Sequence, residues 1–198
     1  MLNFLPPATR AIIVATVAVF LLDALFPSPA ISRLALWPLQ TPLFAPYQLI
    51  TYAFVHQGFA HIFFNMFALF MFGRGLEELW GARRFLVYYF ASVLAAGLTQ
   101  LAFTALTNTV YPTVGASGGV FGVLLAFAMT YPRQRILLLF PPIPMPAWVF
   151  VTLYGIAELV MGVLGTQEGV AHFAHLGGMF GGALVIAYWR ATGQLRRP

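Results

Sequence analysis

Six apolar stretches, each near the length needed to cross a bilayer, constrain this chain more than any other feature. They run over about 8–26, 58–79, 84–106, 115–131, 146–164 and 170–189. A helix needs about 20 apolar residues to cross a hydrocarbon core of about 30 Å, and six such helices use most of the 198 residues. Hydrophobic side chains make up 61% of the chain and charged ones only 8%, which leaves too little polar surface to cover a water-soluble domain. The expectation is an all-α polytopic membrane protein: one domain over 1–198, folded as a bundle of six transmembrane helices in a lipid bilayer.

Prolines and arginines organise the bundle. Pro27 and Pro29 end the first span. The segment 28–50, with Trp37-Pro38, Pro42 and Pro46, is too broken to span and too apolar to dissolve, so it is expected to lie in the interface. No basic region precedes the first apolar run and no small-residue cleavage site stands out, so Ala11 to Phe26 reads as a retained span and not a cleaved signal peptide. Arg10, Arg74, Arg83, Arg84, Arg133, Arg135, Arg190, Arg196 and Arg197 fall on one side of a six-span topology and Arg33 alone on the other. The positive-inside rule then places both termini in the cytoplasm. The formal charge of +5 is spread between apolar runs without a basic patch, which argues against a nucleic-acid partner.

With no cysteine in the chain, thiolate chemistry is excluded and any reaction must use Ser, His, Asn, Glu or backbone groups. Ser117 stands in Gly115-Ala116-Ser117-Gly118-Gly119 at the start of the fourth span. A base for it must come from four histidines, His56, His61, His172 and His175. His175 opens the glycine-studded run Ala174-His175-Leu176-Gly177-Gly178-Met179-Phe180-Gly181-Gly182. The pairs Gly118/Gly122 and Gly178/Gly182 are spaced for close helix contact, which a serine and an imidazole need in order to come within roughly 3 Å. His61 and Asn65 are four residues apart and share a helix face. Spans two, four and six all enter from the outer side, so His61, Asn65, Ser117 and His175 reach one depth. The fourth span, about 17 residues or roughly 25 Å, is short enough to leave Ser117 at the floor of a water-filled depression.

Simpler roles compete for several of these residues. Ser117 alone reads as a packing serine or helix cap, and Asn65 as a bond to a neighbouring helix. His172 and His175 have metal-ligand spacing, but no carboxylate is evidently placed to join them and there is no His-Glu-x-x-His motif. His172 and His56 read as loop or rim residues, His56 with access to the outer cavity. Glu158, an acid inside span five, has no partner readable from the sequence and is expected to be protonated, inward and hydrogen-bonded, with a role in gating as the alternative. Glu77, beside Arg74 and Arg84, is expected to fix a cytoplasmic helix end.

Taken together, these residues resemble the rhomboid family of intramembrane serine proteases. The resemblance rests on Gly115-x-Ser117-Gly118, Ala174-His175-x-x-Gly178-x-x-x-Gly182, His61-x-x-x-Asn65, Gly73-x-x-x-Glu77 and the loop from Pro132 through Leu-Leu-Phe-Pro-Pro to Pro146. It implies a catalytic dyad of Ser117 and His175 without an acidic third member. His61, Asn65 and the Ser117 backbone N–H would serve as oxyanion donors, and Gly115, Gly118, Phe121, Gly178 and Gly182 as site packing. It also implies single-span membrane proteins as substrates, no cofactor, and an active site open to the outer face of a bacterial inner membrane. Span five and the loop 165–171 are the expected lateral gate. Two positions depart from the family pattern: Phe121, where many relatives carry tyrosine, and Tyr47-Gln48, where many carry Trp-Arg. A non-catalytic helix-binding chaperone or adaptor is the alternative, disfavoured by the presence of both dyad residues. A transporter is disfavoured because the polar groups form one layer and no relay.

Overall fold

The computed structural model describes residues 5–137, 142–165 and 170–195. Arg196, Arg197, the centre of the Pro132–Pro146 loop and most of the loop 165–171 lie outside them. In chain order the helices are α1 (Pro7–Leu25), the single turns α2 (Pro29–Ser32) and α3 (Gln48–Thr51), α4 (Phe59–Ala68) and α5 (Arg74–Trp80). Then come α6 (Ala82–Thr107), α7 (Ser117–Thr130), α8 (Ala147–Leu164) and α9 (His172–Ala191). A π-helical turn at Leu69–Gly73 joins α4 to α5, so Phe59–Trp80 is one continuous rod. Among the described residues four helices, Pro7–Leu25, Phe59–Trp80, Ala82–Thr107 and Ala147–Leu164, are long and apolar enough to cross a membrane. The chain is thus an all-α polytopic membrane bundle.

α7, only 14 residues long, sits at the centre. An apolar helix without an outward polar face belongs inside a bundle, and every residue from Gly118 to Leu124 is buried. α6 and α9 enclose it, with Phe85, Tyr88, Tyr89 and Val93 of α6 fully covered. The glycines divide the labour. A Cβ on Gly178 of α9 would strike the backbone of Gly118 of α7, whereas one on Gly182 would strike Tyr88 and Ser92 of α6. A Cβ on Gly122 would also meet Ser92. The Gly118–Gly178 contact is therefore the tightest between α7 and α9, where a Cβ on Gly122 would also lie 3.2 Å from the Gly178 carbonyl oxygen, while Gly122 and Gly182 both seat their helices on α6.

Polar side chains fix the ends. Glu77, buried in α5, accepts from the backbone N–H groups of Ala8 and Thr9 at 2.7 and 2.6 Å, satisfying donors that the first turn of α1 cannot pair internally. It does fix a helix end, through the amides of α1, while Arg74 pairs with Glu78 at 2.7 Å. The segment 28–50 is knotted by one buried side chain, Gln48. Its Oε1 accepts from Trp37 N–H at 3.1 Å, and its Nε2 donates to the carbonyls of Arg33 and Leu43 at 2.9 and 2.8 Å. Gln48 thus gives the departure at Tyr47-Gln48 a structural role of its own. Between α7 and α8 the chain forms a short antiparallel ribbon, β1 (Arg135–Leu137) with β2 (Pro144–Pro146). The sequence reading did not foresee it, because prolines discourage strands except at edges.

Candidate active site

The loop entering α7 is held at Thr113, Gly115 and Ala116. Leu36 and Thr113 exchange backbone hydrogen bonds at 2.9 Å. Gly115 donates its N–H to Tyr52 O at 3.0 Å, and Ala116 donates its N–H to His56 Nε2 at 3.2 Å. Gly115 has a φ of 116°, a conformation open to glycine, and a Cβ there would lie 2.6 Å from His61 Nε2. Glycine is required at 115 on both counts. The loop delivers Ser117 as the first residue of α7.

Across the α7–α9 contact, Ser117 Oγ lies 2.8 Å from His175 Nε2. Phe121, one turn along α7, stacks on the His175 ring with centroids 4.3 Å apart and planes 8° from parallel. Its phenyl face does the packing, and no hydroxyl is needed for it. Tyr154 of α8 also packs against Phe121, 4.8 Å between centroids. His61, Asn65, Ser117, Phe121, Tyr154 and His175 all line one cavity of about 970 Å³. Asn65 Nδ2 donates to the His61 carbonyl at 2.9 Å, so Asn65 is tied to its own helix and not to a neighbouring one. The structure thus brings His61, Asn65, Ser117 and His175 to one cavity, with Gly118 and Gly178 directly behind them.

Three residues extend or correct the sequence reading. His56 lies in the loop before α4, as read, but is buried and not at a rim; its Nε2 accepts from Ala116 N–H, and its ring meets His61 edge to face at 4.8 Å. His172 is buried as well, as the first residue of α9. Glu158 is inward and hydrogen-bonded, as read, and its partners are histidines: its Oε2 lies 2.7 Å from His172 Nδ1 and 2.8 Å from His175 Nδ1. A carboxylate therefore stands behind His175, where the resemblance implied none, because α8 packs beside α9 with Glu158 facing inward. The same trio overturns the objection that no carboxylate is placed to join the two histidines on a metal ion: its ligand atoms lie within 4.8 Å of one another. The two short contacts are nevertheless hydrogen-bond lengths, whereas neighbouring ligands of a tetrahedral zinc stand roughly 3.3 Å apart.

A family model of the rhomboid domain matches residues 44–192. The chain belongs to the rhomboid family. This rhomboid is 39% identical over 134 residues to Rhomboid protein 1, mitochondrial, of Saccharomyces cerevisiae, covering 67% of this chain and 38% of that one. It is 28% identical over 146 residues to Rhomboid protease GluP of Bacillus subtilis, covering 71% and 25%. It is 31% identical over 159 residues to Rhomboid protease AarA of Providencia stuartii, covering 72% and 56%. The chain matches well under half the length of the first two. The relatives include mitochondrial and bacterial proteins, and what this rhomboid shares with them is an integral membrane domain.

Proposed function

We propose that this rhomboid is an intramembrane serine endopeptidase that cleaves single-span membrane proteins in or near their transmembrane segments. The observation that carries the reading is the 2.8 Å contact between Ser117 Oγ and His175 Nε2 at the wall of a large cavity. In this mechanism Ser117 Oγ attacks the scissile carbonyl carbon while its proton passes to His175 Nε2. The same proton then goes to the leaving amine as the C–N bond breaks, giving an acyl-enzyme. Water, activated by His175, releases the acid product and restores the serine. His61, the second amide hydrogen of Asn65 and the Ser117 N–H donate to the tetrahedral oxyanion, a contribution of about 3 kcal/mol per donor lost. Six spans with cytoplasmic termini and a cavity open to the outer face complete the reading, with a bacterial inner membrane as the compartment.

The test is cleavage of a single-span substrate by the purified protein in liposomes, beside Ser117→Ala and His175→Ala. Loss of cleavage in both folded variants supports the enzyme. Cleavage that survives Ser117→Ala rejects Ser117 as nucleophile, and a wild-type protein that binds substrates without cutting them favours the chaperone or adaptor reading.

A further inference from the structure

The Glu158 carboxylate has no part in a two-residue mechanism, yet it is placed as if it had one. Glu158 sits in the middle of an apolar helix and is 3% exposed. One oxygen, Oε2, takes contacts from two imidazole Nδ1 atoms at 2.7 and 2.8 Å. Two donors on a single oxygen is the pattern of an ionised carboxylate accepting charge-assisted hydrogen bonds. A proton on Oε2 itself, as in the protonated acid expected from the apolar setting, would displace one of these two donors. Accepting from Nδ1–H also decides the tautomer of His175, because the proton on Nδ1 leaves Nε2 with a lone pair. That lone pair is what faces Ser117 Oγ at 2.8 Å.

We infer that Glu158 is the positioning residue of His175, an acidic third member supplied by α8. The inference rests on the serine-protease reading above. Glu158 holds the imidazole in the tautomer that can accept the serine proton, and it stands as the counter-charge when that proton arrives. The environment makes this matter: His175 is 8% exposed, so little water is at hand to solvate an imidazolium, and an opposite charge in hydrogen-bond contact is worth far more there than in solvent. His172 has its own part. By donating to the same oxygen it keeps the carboxylate from rotating away from His175. The His175 ring is then constrained on its face by Phe121, at Nδ1 by Glu158 and at Nε2 by Ser117. The carboxylate stays ionised throughout and takes no proton, so the step needs no further reactant.

A competing role for the same contacts is a tether fastening α8 to α9. Glu158→Gln separates the two, since its carbonyl oxygen still accepts from an imidazole N–H while the charge is gone. The experiment measures kcat, KM and the unfolding midpoint of the full chain in liposomes on a single-span substrate. It compares wild type, Glu158→Gln, Glu158→Asp, His172→Phe and Ser117→Ala. Glu158→Gln is expected to lose about 100-fold in kcat, with KM within about twofold and the unfolding midpoint near that of wild type. Glu158→Asp, with its charge on a shorter arm, is expected to recover about tenfold of that loss, and His172→Phe to lose about tenfold. With nitrogen-labelled histidine, the wild-type proton spectrum is expected to show a low-field resonance on His175 Nδ1 that is missing from Glu158→Gln. Wild-type kcat in Glu158→Gln, or a loss confined to KM or to the unfolding midpoint, overturns the inference. Absence of the low-field resonance in wild type overturns it too, and this readout needs no substrate. Failure of the protease reading looks different: undiminished cleavage by Ser117→Ala, or no cleavage by any form.

Discussion

Gly178 of α9 lies against the carbonyl group of Gly118 of α7, so these two helices meet backbone to backbone. The contact is one residue beyond Ser117 and three beyond His175. It sets the separation of the two side chains, and no side chain intervenes that could adjust it.

Gly178→Ala should therefore be far more damaging than its single methyl suggests. The added carbon meets the oxygen, carbon and α-carbon of Gly118, none of which can swing aside. A loss of about 1–3 kcal/mol in stability and about 100-fold in kcat/KM is expected. Gly155→Ala is the control: its methyl meets the flexible end of Met179 at 3.3 Å, so activity should stay within about twofold. Equal activity in the two variants would show that the α7–α9 approach has slack.

Stacking on His175 is testable at Phe121. Phe121→Ala removes the ring that lies 8° from parallel with the imidazole; it should lower kcat by about tenfold and cost about 3 kcal/mol of stability. Phe121→Tyr keeps the ring and should stay within about threefold of wild type. A tyrosine variant as impaired as the alanine one would mean that something other than the ring face is recognised.

Acid should loosen the loop that delivers Ser117. Burial, reinforced by neighbouring His61, pushes the His56 imidazole down from its usual 6.5 to about 4. In the fold, His56 stays neutral and accepts from Ala116 N–H. Between those two values the unfolded chain binds more protons than the folded one. The contribution is therefore complete above about pH 6.5, declines as pH falls towards 4, and is level below that. The loss is on the order of 3 kcal/mol. His56→Phe cannot titrate and should have a flatter profile, on a baseline lowered by about 1–3 kcal/mol for the orphaned Ala116 N–H. Unfolding midpoints from neutral pH to pH 4 check this; parallel curves would remove His56 as the source.

Gln48 should outweigh its size. Gln48→Leu orphans the Trp37 N–H and the Leu43 carbonyl and takes from the Arg33 carbonyl the shorter of its two hydrogen bonds, for about 2–4 kcal/mol. The hydroxyl of Tyr47, exposed and 3.3 Å from the Arg33 carbonyl, should matter by less than about 0.5 kcal/mol in Tyr47→Phe. Thermal unfolding of the two variants decides it.

The trio Glu158, His172 and His175 predicts indifference to chelators. Dialysis against one should leave cleavage unchanged, because both Nδ1 contacts have hydrogen-bond lengths. A loss of activity restored by zinc would make the trio a metal site.

Hydrophobic runs and prolines made the helical bundle legible, and the small-residue settings of Ser117 and His175 made those two residues stand out. Glu158 was legible as an anomaly, an acid inside an apolar helix, but its partners were not. They lie 14 and 17 positions away on another helix, and only the rotation of α8 against α9 brings them together. His56 gave no signal beyond lying five residues before His61, since its partner is a backbone amide 60 positions on. Glu77 was read correctly as fixing a helix end, yet the donors it serves belong to α1. In each case the residue type was informative and the partner depended on a long-range contact that no local period encodes.

The clamp on α1 bears on how the protein comes apart. Only Ala8, Thr9, Ile12 and Thr16 of that helix are buried, so by contact area alone α1 would be the first element to peel from the bundle. Peeling, however, breaks both charge-assisted bonds between the Glu77 carboxylate and the α1 amides, each worth about 1.5–3 kcal/mol. The peripheral helix is thereby tied to the interior, and its first turn should show hydrogen-exchange protection near that of α6 and not that of a fraying terminus.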